Sequence, residues 1–286
     1  MSTPAAPHSA QNAVARHDFV AMPRYLINLS GIVLSVPYPA KAHEGSLDLC
    51  GVYDIYQQWN YESWDRLPYI DLLRFVLPYQ LSGASKKANV VAELRVLAKL
   101  VWVQDSEGLD LRDIEQLAEW VLTSVQTEFK AKDKQIVAER LEELGLGARD
   151  SHKDSAKAFG KLIKAVYGKE LEGKNIVEDL QLWRRPRQPE ELITCLINGV
   201  PWLMYEAYRP HDHGHVVAHA AVTPNHVVTL TFYLSDKTQD YFSPDLNFDD
   251  VIPLEIRNLM REIRVIYSPY ARTDTYSEEG RADEVV

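Results

Sequence analysis

The chain has 286 residues, 46% apolar and 25% charged, a globular composition that excludes a disordered or collagen-like protein. It carries 41 acidic against 31 basic residues, a formal net charge of −10; such a surface repels nucleic acid and anionic membrane and favours a basic protein partner. The two cysteines, Cys50 and Cys195, are too few for a disulfide framework or a four-cysteine zinc site, and they fit a reducing cytoplasm.

Taken in chain order, residues 1–20 lack apolar periodicity and read as a flexible arm. The stretch "RYLINLSGIVLSVPY" reads as extended, with Ser30-Gly31 as a turn or bulge. Arg16 and Arg24 precede "YLINLSGIVLSVPYPAKA", which ends in the small-x-small pattern Ala40-Lys41-Ala42. A cleaved leader, and with it a periplasmic location, is therefore the alternative to a buried hairpin in a cytoplasmic protein. Against cleavage, Asn28, Ser30 and Ser35 interrupt the apolar run and Asp18 sits in the charged region. No run of 18 apolar residues occurs, so no membrane-spanning helix is expected.

Residues 21–87 form an N-terminal β and aromatic segment that should pack on the body of the protein. Residues 88–170 read as a helical subdomain. Its first helix is expected over Val90–Val103, from Val90, Val91, Leu94, Leu97, Leu100 and Val101. A second, capped by Asp110, carries the stripe Ile114, Leu117, Ala118, Val121, Leu122, Val125 and Phe129; Asp133 and Ser151 cap a third and a fourth. Short connections predict an antiparallel bundle. From residue 176 to 270 the pattern changes to an antiparallel α+β domain. Asn198-Gly199 and Thr223-Pro224-Asn225 mark two hairpin turns, "VIPLEIRNLMREI" a helix and "RVIYS" a last strand. Residues 271–286 read as a loose acidic tail. The fold class expected is α+β, an antiparallel sheet body with a helical subdomain inserted or appended.

The segment "YRPHDHGHVVAHA" raises the question of a metal site. His213, His215 and His219 share odd parity, so a strand would place them on one face, opposite Val216, Ala218, Ala220 and Val222. That face should be the wetter one. A metal-dependent enzyme built on the three histidines is the alternative reading, but neither a carboxylate nor a matching second motif completes the set. No metal, cofactor or catalytic residue is expected: the chain has no phosphate-binding glycine loop, nucleophile elbow or HExxH motif. "WRRPRQP" at 183–189 reads as a strand entrance whose arginines bridge to the acidic surface.

Two features suit a protein interface. Trp59, Tyr61 and Trp64 stand among polar neighbours, as interface anchors do. Two acidic runs, Asp105, Glu107, Asp110 and Asp113 in one, Asp245, Asp249 and Asp250 in the other, can present a negative field to a basic partner.

The order of elements over 192–267, with its "NG" turn, its "HVVTLTFYL" strand and a helix before "RVI", resembles small α+β domains of the Mog1/PsbP-like kind, as found in several immunity proteins of bacterial type VI secretion systems. The resemblance implies a non-enzymatic protein that binds and neutralises a cognate toxin, a nuclease in the cytoplasmic kind, without cofactor, nucleic acid or membrane. It rests on pattern over about a quarter of the chain, and no functional residue carries over from it.

Overall fold

The computed structural model describes residues 16–39, 51–57, 61, 68–80, 90–104, 108–144, 155–167, 182–208, 214–234 and 248–269. Over these the protein is α+β, as the sequence predicts, with three α-helices and ten strands in largely antiparallel sheets.

Turn chemistry fixes the hairpins. Strands β1 (Arg24–Leu29) and β2 (Ile32–Pro37) join through Ser30 and Gly31, both at positive φ, 52° and 92°. Strands β6 (Ile193–Ile197) and β7 (Val200–Ala207) join through Asn198 and Gly199 at 50° and 81°. Two central residues at positive φ match the right-handed twist of the flanking strands. Strands β8 (His215–Thr223) and β9 (His226–Leu234) turn at Pro224-Asn225. With β3 (Val52–Tyr53), β4 (Tyr69–Gln80), β5 (Val90–Trp102) and β10 (Arg264–Tyr267), these build two sheets. The larger has the order β4-β5-β9-β8-β7-β6; the smaller has β10-β2-β1-β3.

Each face of the larger sheet carries its own core. Even-numbered Leu94, Val96, Ala98, Trp202, Ala218, Ala220, Val228 and Leu230 pack against Ile27, Leu29 and Leu34 of the small sheet and Ile256 and Leu259 of helix α3 (Phe248–Glu262). Odd-numbered Leu203, Tyr205, Val217, Ala221 and Val227 pack against Leu117, Val121, Val125 and Phe129 of helix α1 (Ile114–Glu143) and Leu162 of helix α2 (Ser155–Tyr167). The sheet is thus a middle layer with strand-and-helix on one side and helices on the other.

Several expectations are corrected. Val90–Trp102 is strand β5, not a helix, so the helical part of 88–170 begins at Ile114. The sequence "VVAELRVLAKLVW" satisfies both periods; Ala92, Leu94, Val96, Ala98 and Leu100 are all buried at period two, and β5 bridges β4 and β9, whose facing backbone groups would otherwise be left unpaired. The helices expected on either side of Asp133 are one 30-residue helix. Nothing in "FKAKDKQ" breaks it, and Asp133 binds Arg185 rather than capping. The N-cap of α1 is Asp113, not Asp110; its carboxylate accepts the Glu115 and Gln116 N–H groups at 2.8 and 3.4 Å. The arm expected over 1–20 is anchored at its end: Phe19 is buried. Burial of such a ring is worth roughly 2–3 kcal/mol, enough to offset the ordering of a couple of residues. The tail 271–286 lies outside the described residues.

Candidate functional site

One end of the large sheet gathers the aromatic and acidic features that lie apart in sequence. The β8–β9 turn is its centre. Val103 N–H donates to Asn225 O at 2.8 Å and Leu111 N–H to Pro224 O at 2.9 Å. These two bonds bring the end of β5 and the turn preceding α1 onto the hairpin. From the other side comes the segment after β3. Ile55 N–H donates to Ser30 Oγ at 3.0 Å, and Ser30 Oγ donates to Asp54 at 3.2 Å. Ser268 N–H, just past β10, donates to Gly31 O at 2.9 Å.

His226 ties these pieces together. Its Nε2 lies 3.0 Å from Ile55 O and its Nδ1 2.7 Å from Thr223 Oγ1. A carbonyl can only accept, so Nε2 carries the proton and Nδ1 accepts from the Thr223 hydroxyl. Tyr61 OH donates to the same carbonyl at 2.7 Å. Trp102 lies parallel to the His226 ring, Tyr56 meets it edge-on, and Tyr61 packs on Trp102 with ring centroids 5.3 Å apart. Burial holds the imidazole pKa down at about 4, opposed by the bond to Ile55 O, so the ring is neutral at pH 7. Burial also pushes the Tyr61 hydroxyl above its ordinary value, with Tyr56 and Asp54 acting in the same direction.

Beside this half-buried aromatic group stand the acids. Asp110 pairs with Arg112 at 2.7 Å, and the hydrogen bonds from Arg112 hold its carboxyl below the usual range. Asp113 is exposed while capping α1. Ile266 and Tyr267 at the end of β10 are large exposed apolar residues, and Tyr267 lies within the field of Arg112. The structure therefore brings Tyr61, Asp110 and Asp113 to one end, with Tyr56, Trp102, His226 and Tyr267. Trp102 and His226 gave no such signal in the sequence, because only the register of β5 against β9, which sets them opposite each other, places them there. Trp59, Trp64, Asp105, Glu107 and Asp245 lie outside the described residues. Asp249 and Asp250 fall in the first turn of α3, away from this group in sequence.

The histidine segment differs from its expectation. Parity does place His215 and His219 on one face, but α1 covers that face. His219 is 6% exposed, stacked on Tyr205 and met edge-on by Trp120 of α1. Its Nδ1 pairs with Thr229 Oγ1 at 3.0 Å, Nε2 has no partner, and burial holds its pKa down at about 3. His215 packs edge-on against Trp183. His213 lies outside the described residues, and among those described no three His, Cys, Asp or Glu side chains group to hold a metal ion.

The basic cluster does bridge to the acidic surface. Arg185 pairs with Asp133 at 2.5 Å with both side chains largely buried, and Arg184 exchanges backbone hydrogen bonds with Tyr208. A groove of about 540 Å³ beside them is lined by Arg184, Arg185 and Arg187 but also by Glu191 and Glu206. With Arg185 already neutralised, the charges lining the groove balance. Among the described residues no helix is long and apolar enough to cross a membrane. No family model and no curated protein matches this chain.

Proposed function

We propose that this protein is a cytoplasmic immunity protein of the type VI secretion kind, which neutralises a basic toxin, a nuclease, by binding it stoichiometrically. The observation that carries the reading is the meeting of Asp110 and Asp113 with Tyr61 and Trp102 at one end of the large sheet, around His226. Aromatic side chains set in a rigid hydrogen-bonded frame supply anchors, because little ordering entropy remains to be lost on binding. Acids beside them supply steering. The chain's charge of −10 adds a coherent field, screened over about 8 Å at physiological salt.

The test is binding to the purified product of a neighbouring toxin gene, followed by stopped flow at several salt concentrations. Replacing Asp105, Glu107 and Glu115 by lysine should slow association by about tenfold at low salt and flatten its salt dependence. Asp113 and Asp110 are left in place, because one caps α1 and the other pairs with Arg112. Trp102→Ala should instead speed dissociation. Unchanged rates in both variants would leave this end without a role in binding.

A further inference from the structure

The two edges of the large sheet are built differently. β4 carries Asp71, Arg74 and Pro78 and two register shifts against β5, at Asp71/Leu73 and at Tyr79/Gln80. Charges, proline and bulges are the devices by which natural sheets prevent edge-to-edge pairing. β6, the opposite edge, has the sequence "ITCLI" and carries none of them. Its Leu196 and Ile193 are 76% and 59% exposed. The two-residue Asn198-Gly199 turn makes Ile197 and Val200 a hydrogen-bonded pair, and the alternation then makes Cys195–Trp202 and Ile193–Met204 the next such pairs. The N–H and C=O groups of Thr194 and Leu196 therefore point outward, and among the described residues none of them is paired. Pro201, opposite Leu196, sits at a position that needs no bond to β6.

We propose that β6 pairs antiparallel with β6 of a second copy of this chain about a two-fold axis through Cys195, joining the two large sheets. The strand is self-complementary. The register that pairs all five residues sets Thr194 opposite Leu196 of the second copy, so both outward-facing residues of each strand bond. On one face Ile193 meets Ile197, an apolar cross-strand pair on either side of the axis. Charge completes the match. Exposed Glu190 and Glu191 precede the strand by one residue, Leu192, and the two-fold places them beside the Asn198-Gly199 turn of the second copy. That turn carries Arg261 with it, since Asn198 Nδ2 donates to Arg261 O at 3.0 Å and to Ile263 O at 2.6 Å. Arg261 is exposed, so each end of the paired strands joins two acids to one arginine. Five residues bury little area, which makes this a weak, concentration-dependent dimer.

The same axis makes Cys195 its own neighbour, in a non-hydrogen-bonded pair whose Cα atoms stand about 4.5 Å apart, within disulfide reach. The experiment uses the full chain with Cys50→Ala, leaving Cys195 as the single thiol. Diamide, which takes up the two electrons and two protons released, should link Cys195 to Cys195 rapidly in the native protein. Without oxidant, light-scattering mass should rise from 32.6 kDa toward twice that between about 1 and 100 μM. Leu196→Lys and Thr194→Pro should each weaken dimerisation at least tenfold and slow cross-linking equally; the second removes an N–H that points away from β7. Both positions are exposed, and an unchanged urea midpoint shows that the monomer still folds. Should either variant unfold, Arg261→Glu should weaken the dimer and Glu190→Arg in the same chain should restore it. A monomer at every concentration, cross-linking as fast in Leu196→Lys as in the parent, or a dimer indifferent to all of these changes would each overturn the proposal.

Discussion

Acidification between pH 7 and 5 should strip this fold of a large share of its stability, through histidines and before ordinary carboxylates titrate. His219 and His226 have folded pKa values of about 3 and about 4, both lowered by burial. The unfolded chain titrates them near 6.5. Between those values the unfolded state binds more protons than the folded one, so stability rises with pH and falls as pH drops below about 6.5. Each histidine contributes at most about 1.4 kcal/mol per pH unit in that window. From pH 7 to 5 the two together cost about 4 kcal/mol, against the 5–15 kcal/mol that holds a typical domain together. His17, whose pKa burial also lowers against the pull of Glu255, acts in the same direction. The assay is urea unfolding at half-unit steps from pH 5 to 7.5. His219→Phe keeps the stack on Tyr205 and removes one proton site; His226→Gln keeps a donor for Ile55 O and removes the other. Each should remove close to half of the slope. A wild-type stability flat across this range, or variants that retain the full slope, would refute the assignment of both rings as buried and neutral.

Other perturbations follow from the same contacts. Asp133→Ala strands the Arg185 guanidinium, which is 11% exposed, and takes an acceptor from Trp183 N–H; the urea midpoint should fall by the equivalent of about 2–3 kcal/mol. Asn198→Ala removes two hydrogen bonds to the end of α3 and puts an alanine at φ 50°, which should cost about 2 kcal/mol in the same measurement. Tyr61→Phe loses only the bond to Ile55 O and should cost about 1 kcal/mol, with the fluorescence of Trp102 reporting the loosened contact.

What the sequence disclosed was what is decided locally. Ser30-Gly31 and Asn198-Gly199 turn the chain because glycine tolerates positive φ and a short polar residue before it can adopt it too, so both hairpins are legible without knowing the fold. The alternation of Val228, Leu230 and Phe232 in β9 is legible for the same reason, and so is the stripe of α1. Val90–Trp102 was not, because both periods fit and the decision belongs to its sheet neighbours β4 and β9, the second more than a hundred residues away. The face of His219 was not, because parity says which side chains share a face and nothing about what lies over it. That was settled by Trp120, a hundred residues earlier.

The candidate site follows the same division. The aromatics of 53–64 and the acids of 105–113 each carry a compositional signal, but alone the first reads sooner as core and the second as solvated surface. Two backbone bonds, Val103 to Asn225 and Leu111 to Pro224, bring Trp102 and Asp110 to the β8–β9 turn. His226, with Ile55 O on one nitrogen and Thr223 on the other, closes the arrangement. No spacing rule links residues 55, 102 and 226. The same ring that the acid titration probes is therefore the one that positions Tyr61 and Trp102 beside the acids. If the two roles are joined, affinity for a basic partner should decline below pH 6 together with stability, and His226→Gln should uncouple the two by keeping the frame while removing the proton.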